Sequence, residues 1–217
     1  MRRLRRSLTI LPVLFAAALL LVGPAAPASA QQGDVAEVTA IVGQVSAVAA
    51  STRARPLAAN SKIAAGETVV TAPGARVALK FIDGSTINLG EATELKVARY
   101  RVSGEDRQVF LDLVRGLARS IVTKMPGRST FEITTPTAVA AVRSTTFCVE
   151  FNAKGETETV VVEGSLAVTS HGGELGRAIL ETGGGTTVAK GKAPTAPEIW
   201  QQSRIDAMRS RAMIPVP

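Results

Sequence analysis

Chemistry at a protein site needs groups that can meet in space with suitable protonation, and this chain offers few of them. Its 217 residues hold one cysteine and one histidine. Cys148 and His171 could in principle form a nucleophile–base pair, the imidazole taking the thiol proton. Neither sits in a local nucleophile signature: Cys148 falls in the strand-like run Phe147–Phe151, and His171 in Ser-His-Gly-Gly, a turn sequence. The same counts exclude a His-rich or multi-Cys metal centre. Paired acids occur at Glu105–Asp106 and at Glu156 with Glu158. Two-carboxylate hydrolysis needs one of the pair held protonated, and acids in or beside turns are solvated charges. Asp83 carries oxygen ligands but has no partner acids at loop spacing, so Asp83-Gly84 reads as turn chemistry. Gly172-Gly173 and Gly183-Gly184-Gly185 are not phosphate loops, since no Lys-Ser/Thr follows them. No catalytic residue, cofactor or metal is assigned, and an enzyme is not expected.

The stretch that must position anything functional is Thr130–Phe151, TFEITTPTAVAAVRSTTFCVEF. Val, Thr and Phe suit a pleated, half-buried surface, and Pro136 fits only a strand start, an edge or a bulge. The pattern predicts a short strand at Phe131–Thr134, a corner at Thr135-Pro136, and a longer strand from about Ala138 to Phe151. In that longer strand Phe147, Val149 and Phe151 face a core, while Thr146, Cys148 and Glu150 face away. Arg143 and Thr145 could form a ligand site; the preferred reading is structural, with the Arg143 stem along a strand and Thr145 meeting a corner hydrogen bond.

Residues 1–30 read as a signal peptide. Arg2, Arg3, Arg5 and Arg6 precede an apolar run, and Ala28-Ser29-Ala30 is a small-x-small site cleaved between Ala30 and Gln31. The run is short for a spanning helix, so the membrane enters only through export. The chain's net charge of +7 includes those four arginines and no acid from the segment, leaving about +3 in the remainder. A nucleic-acid surface is therefore unsupported. With one cysteine no internal disulfide can form; Cys148 either pairs between chains or stays buried as a small strand residue.

The remainder, 31–190, reads as one β domain. Val38–Val48 is a strand with Gly43 inside it after a flexible leader, and Ala50–Lys62 is a loop. Val77, Leu79 and Phe81 lead through Asp83-Gly84 to Ile87 and Leu89, a hairpin signal. Leu95–Val102, then Val109 onward through Gly116 to Val122, continue the alternation. Gly43, Gly116 and Gly164 each interrupt an apolar alternation, which predicts strands bending at glycine. About a dozen short strands give an all-β class, sandwich or barrel by pattern alone. Residues 191–217 read as a linker and a short helix at about Ile199–Met213, with Pro197 at its first turn. Trp200, the only tryptophan, is either an anchor for fold-back onto the β body or a partner contact.

Phe131, Ile133, Thr135, Pro136, Ala138, Val142, Arg143, Thr145, Phe147 and Val149 match the pattern f-x-v-x-T-P-x-A-x-x-x-V-R-G-T-x-F-x-V. Gly66–Leu95 matches a GD-x-I-x-T … F-x-D-G-S block, and Val162–Val168 a G-centred strand. Together, from about Ile41 to Ala189, the chain resembles the FecR domain of bacterial signalling and envelope proteins. Ser144 stands where that family has Gly, a position needing either a positive φ or only a small side chain. The resemblance implies a rolled, β-solenoid-like body, with a β-sandwich as the alternative. It also implies a periplasmic or secreted, non-catalytic protein-interaction or sensing module with an envelope protein partner. Direct sigma-factor regulation is not expected, because the cytoplasmic segment of the signalling members has no counterpart here. The alternative is a cell-envelope structural or glycan-binding scaffold. Oligomeric state is left open by the sequence.

Overall fold

Apolar–polar alternation gives strands along nearly the whole described length. The computed structural model describes residues 33–49, 53–171 and 176–214; the 1–30 segment with its Ala30–Gln31 site lies outside them. In chain order the strands are β1 (Asp34–Val42), β2 (Val45–Val48), β3 (Arg55–Pro56), β4 (Lys62–Ala64), β5 (Thr68–Thr71) and β6 (Arg76–Phe81). They continue with β7 (Thr86–Leu89), β8 (Glu94–Ser103), β9 (Asp106–Ile121), β10 (Ser129–Thr134), β11 (Ala138–Val142) and β12 (Thr146–Phe151). The last are β13 (Glu156–Glu163), β14 (Ser165–Ser170), β15 (Arg177–Glu181), β16 (Gly184–Ala189) and β17 (Glu198–Ile199), followed by α1 (Gln202–Ala212).

These strands form two ladders that share one member. The first runs β4-β1-β6-β7-β9-β12-β13-β16-β17. The second runs β3-β2-β5-β8-β9-β10-β11-β14-β15. Every pairing is antiparallel except β9 with β10. The sheet is open, not a closed barrel, and the chain is all-β apart from the short C-terminal helix. The shared strand changes ladders at its midpoint: Asp106–Arg115 pairs with β8, and Gly116–Ile121 lies between β7 and β12. The switch occurs at Gly116, whose φ is 86°. A side chain there would be strained and would also collide with Thr93.

The inward faces of the two ladders make the core. Leu79, Ile87, Leu95, Leu111, Phe131, Phe147 and Leu180 are all fully buried within it. Burial of this kind stabilises by roughly 1.5–3 kcal/mol per large apolar side chain.

Two predicted strands are each broken in the structure. Val38–Val48 is β1 and β2, in different ladders, and Ala138–Phe151 is β11 and β12, again in different ladders. The breaks fall at Gly43-Gln44 and at Arg143–Thr145. Alternation alone does not separate a strand that continues from one that crosses to the opposite sheet. A change of parity does: Ala138, Ala140 and Val142 face inward before the corner, and Phe147 and Val149 after it. The predicted leader is also strand from Asp34 onward, and the predicted loop at 50–62 contains β3 and the start of β4. Pro197 lies ahead of β17, and the helix begins only at Gln202.

Helix α1 covers the outer face of the first ladder. Ile205, Met208 and Ala212 pack with Trp200 onto Leu117, Cys148 and Val160. Polar contacts fix its register: Arg204 donates to Glu158 at 2.9 Å, the Arg211 guanidinium grips the Glu150 carboxylate, and Arg76 Nε donates to the Arg211 carbonyl at 2.9 Å. Trp200 occupies a seat created by Gly185, where any Cβ would collide with the indole. Arg204 stacks over that indole at 3.4 Å from the ring centroid.

Gly185→Ala is expected to lift Trp200 and loosen α1, destabilising the protein by about 1–3 kcal/mol. As the sole tryptophan, its emission should shift to the red in the folded variant. An unchanged spectrum and melting temperature would show that the seat is not needed.

Candidate functional site

A buried ion pair sits where the Asp83-Gly84 turn, β9, β10 and the Arg143 corner converge. Arg107 Nη1 lies 2.7 Å from Asp83 Oδ2, and both side chains are fully shielded from water. A guanidinium removed from water is tolerated only when its donors are met. Here Nε and Nη2 donate to Ser129 Oγ, Nη1 donates also to the Thr123 carbonyl, and Nη2 donates to the Arg143 carbonyl at 2.9 Å. Asp83 accepts from the Ser85 amide and hydroxyl, each at 2.9 Å. The Arg107 guanidinium also lies 5.3 Å from the centroid of Phe131. Burial alone would raise the Asp83 carboxyl; Arg107, with Tyr100 and Ser85 beside it, overrides burial and holds it below the usual value. Burial and the neighbouring Asp83 in turn push the Tyr100 phenol up.

The signature residues occupy two structural corners. Thr135 and Pro136 join β10 to β11: Thr135 Oγ1 takes the Ala138 amide at 2.9 Å and lies 2.6 Å from Thr157 Oγ1, while Pro136 is exposed. Thr145, 4% exposed, donates to the Ser165 carbonyl at 2.6 Å. Phe147 is fully buried in the core. Arg143 is not laid along a strand: it stands exposed in the corner between β11 and β12, held through its carbonyl by Arg107. Ser144 is exposed and absent from the positive-φ residues, so in this chain the position does not use a left-handed backbone; its carbonyl lies where a Cβ on Gly164 would collide.

Beside that corner, the outer face of the second ladder forms a shallow trough of about 470 Å³. Ladder register aligns Glu132, Ala141, Ala167 and Ile179 across four strands, so two alanines make the floor between a carboxylate and an isoleucine that is 53% exposed. Arg143 and Arg177 stand at its margin. Among the described residues, neither of their guanidinium groups has an ion-pair or hydrogen-bond partner.

Other candidates are kept apart. Cys148 is fully buried beneath α1, and burial pushes its thiol up to about 12 against the pull of Arg119. Its side of β12 was expected to face outward; the helix covers it. His171 follows β14 in the other ladder, exposed, with its amide on the Thr137 carbonyl. Asp106 caps the Arg128 amide and Glu158 pairs with Arg204, so those acids serve structure. Among the described residues no three His, Cys, Asp or Glu side chains gather as a metal site. Arg107 lies ahead of Val109, where the alternation alone starts the strand, and so was not among the expected site residues. The available signal was its parity with Val109, Leu111 and Leu113, a charge at a core position.

Arg107→Met, which leaves Asp83 buried without its partner, is expected to cost about 3–5 kcal/mol in denaturant unfolding. Since the folded-state Asp83 value is depressed, its contribution is present above the unfolded value near 3.8 and is lost as pH falls through the folded value. Unfolding of the wild type from pH 7 to pH 3 should therefore lose more stability than that of Asp83→Asn. Equal acid slopes would contradict the assignment. The Cys148 thiol should resist alkylation at pH 8 in the folded protein and react promptly in denaturant; rapid native labelling would contradict its burial.

No curated protein matches the chain. Two crystal structures of a candidate anti-sigma factor from Parabacteroides distasonis are similar in fold. One is 17% identical with a TM-score of 0.53, covering 64% of this chain and 63% of that one. The other is 15% identical with a TM-score of 0.54, covering 64% and 62%. The chain thus spans less than two thirds of the length of the proteins it resembles. The family described as FecR protein matches residues 67–167, a span that contains the buried pair, both signature corners and the whole of β9. Residues 67–167 therefore match the FecR domain.

Proposed function

We propose that this chain is a non-catalytic, exported sensing or protein-interaction module of the bacterial periplasm or cell envelope, and that it binds its partner through the trough beside Arg143. The observation that carries this reading is the contrast between the two outer faces. Helix α1 covers one, whereas the other, among the described residues, leaves Ala141 and Ala167 half-buried and Ile179 exposed between two arginines whose guanidinium groups are unpaired. A FecR domain, and the description of the structural neighbours as candidate anti-sigma factors, support a regulatory role for such a surface. The leader-like residues 1–30 support export. A glycan platform draws no support from the aromatic residues, since Trp200 and Tyr100 are both buried.

Two measurements test the proposal. Terminal sequencing of protein from fractionated cells should find a chain starting at Gln31 outside the cytoplasm; an intact leader on a cytosolic protein would overturn it. A photo-crosslinker at position 141 should trap one envelope protein, with loss of the adduct in Arg143→Glu, while the same probe at Lys80 should not. Equal adducts at both positions, or retention on peptidoglycan without any protein adduct, would refute the binding role.

A further inference from the structure

The two ladders have four ends among the described residues, and three are blunt. β3 and β17 are two residues long, β3 containing Pro56, and β4 has three residues. The fourth end, β15, is a full five-residue strand, Arg177-Ala178-Ile179-Leu180-Glu181, paired only on its β14 side among the described residues. An unprotected edge of this length is a template for another strand.

The ladder fixes which groups that edge presents. Ser170 donates its amide to the Gly176 carbonyl, so Gly176 belongs to a hydrogen-bonded pair with β14. Hydrogen-bonded and non-hydrogen-bonded pairs alternate in antiparallel ladders. Ala178 and Leu180 therefore bond to β14, while the amides and carbonyls of Arg177, Ile179 and Glu181 point outward. Those three residues also expose their side chains.

We infer that a second copy of this chain occupies the edge, β15 pairing antiparallel with β15 of its partner about a two-fold axis through Ile179. The sequence of the strand is complementary to itself in that register. Arg177 faces Glu181 of the other copy, Glu181 faces its Arg177, and Ile179 faces Ile179. All three are hydrogen-bonded pairs, because their outward amides and carbonyls meet. Opposite charges directly across an antiparallel pair attract and like charges repel. A slide of two residues in either direction would lose both charge pairs and set the isoleucine of each copy against a charge. The contact is isologous and closes at two copies. It also runs the second ladders together, so that the troughs of both copies lie on one continuous sheet face.

Sedimentation velocity of the full chain over a concentration series tests this. The wild type should convert from monomer to dimer, with no larger species. Arg177→Glu and Glu181→Arg, each setting two like-charged pairs across the axis, should raise the dissociation constant by about tenfold or more. The double swap should restore wild-type association. Ile179→Pro, which removes an outward amide but no internal ladder bond, should be monomeric with an unchanged circular dichroism spectrum. A wild type that stays monomeric at every concentration overturns the proposal. So does dimerisation that both single charge variants leave unchanged, or a double swap that fails to restore it.

Discussion

A charge that has lost its water must be answered by its surroundings, and in this protein the answer organises four segments. The Arg107 guanidinium can be met only if the Asp83 turn, Ser129 at the start of β10, Thr123 after β9 and the Arg143 carbonyl all arrive together. Each is a short-range group with tight distance limits. The pair thus acts less as a source of net stability than as a condition on geometry, because desolvation offsets much of its attraction. The family match spans these four segments, and the corner that displays Arg143 is tied to the pair through its backbone.

The second constraint is asymmetry between the outer faces. The first ladder carries Leu117, Cys148 and Val160 outward, an apolar patch that α1 and Trp200 cover, with Glu150 and Glu158 gripping arginines of the helix. The second ladder places small and mixed polar residues outward and, among the described residues, has no such cover. A burial pattern that would suit a sandwich on both sides is thus completed on one side by the chain's own C-terminal segment.

Much of this was legible in the sequence because β alternation is a direct record of which side chain meets the core. The hairpin at Asp83-Gly84, the bend at Gly116, the signature stretch and the C-terminal helix all follow from residue type and spacing. What was not legible involved long-range choice. Gly43 and Arg143 sit in corners between ladders, and local pattern does not say which sheet a strand will join. Cys148 looked outward because the residues that bury it lie more than fifty positions later. Arg107 was not singled out because its partner, Asp83, lies 24 positions earlier, with two strands between them. The trough was invisible for a similar reason: Glu132, Ala141, Ala167 and Ile179 align only through three successive registers.

Strand β9 is also the seam between the two halves of the chain. Everything before it joins one of its flanks through β7 and β8, and everything after it joins the other through β10 and β12. The earlier half can therefore complete its pairings within itself, leaving β9 as a temporary bare rim in both sheets until the later half docks. Assembly of this kind has a vulnerable interval, during which the longest strand of the molecule is open to association with the wrong chain. The depth of that hazard depends on how quickly Ser129 and the Arg143 carbonyl reach Arg107 and close the seam.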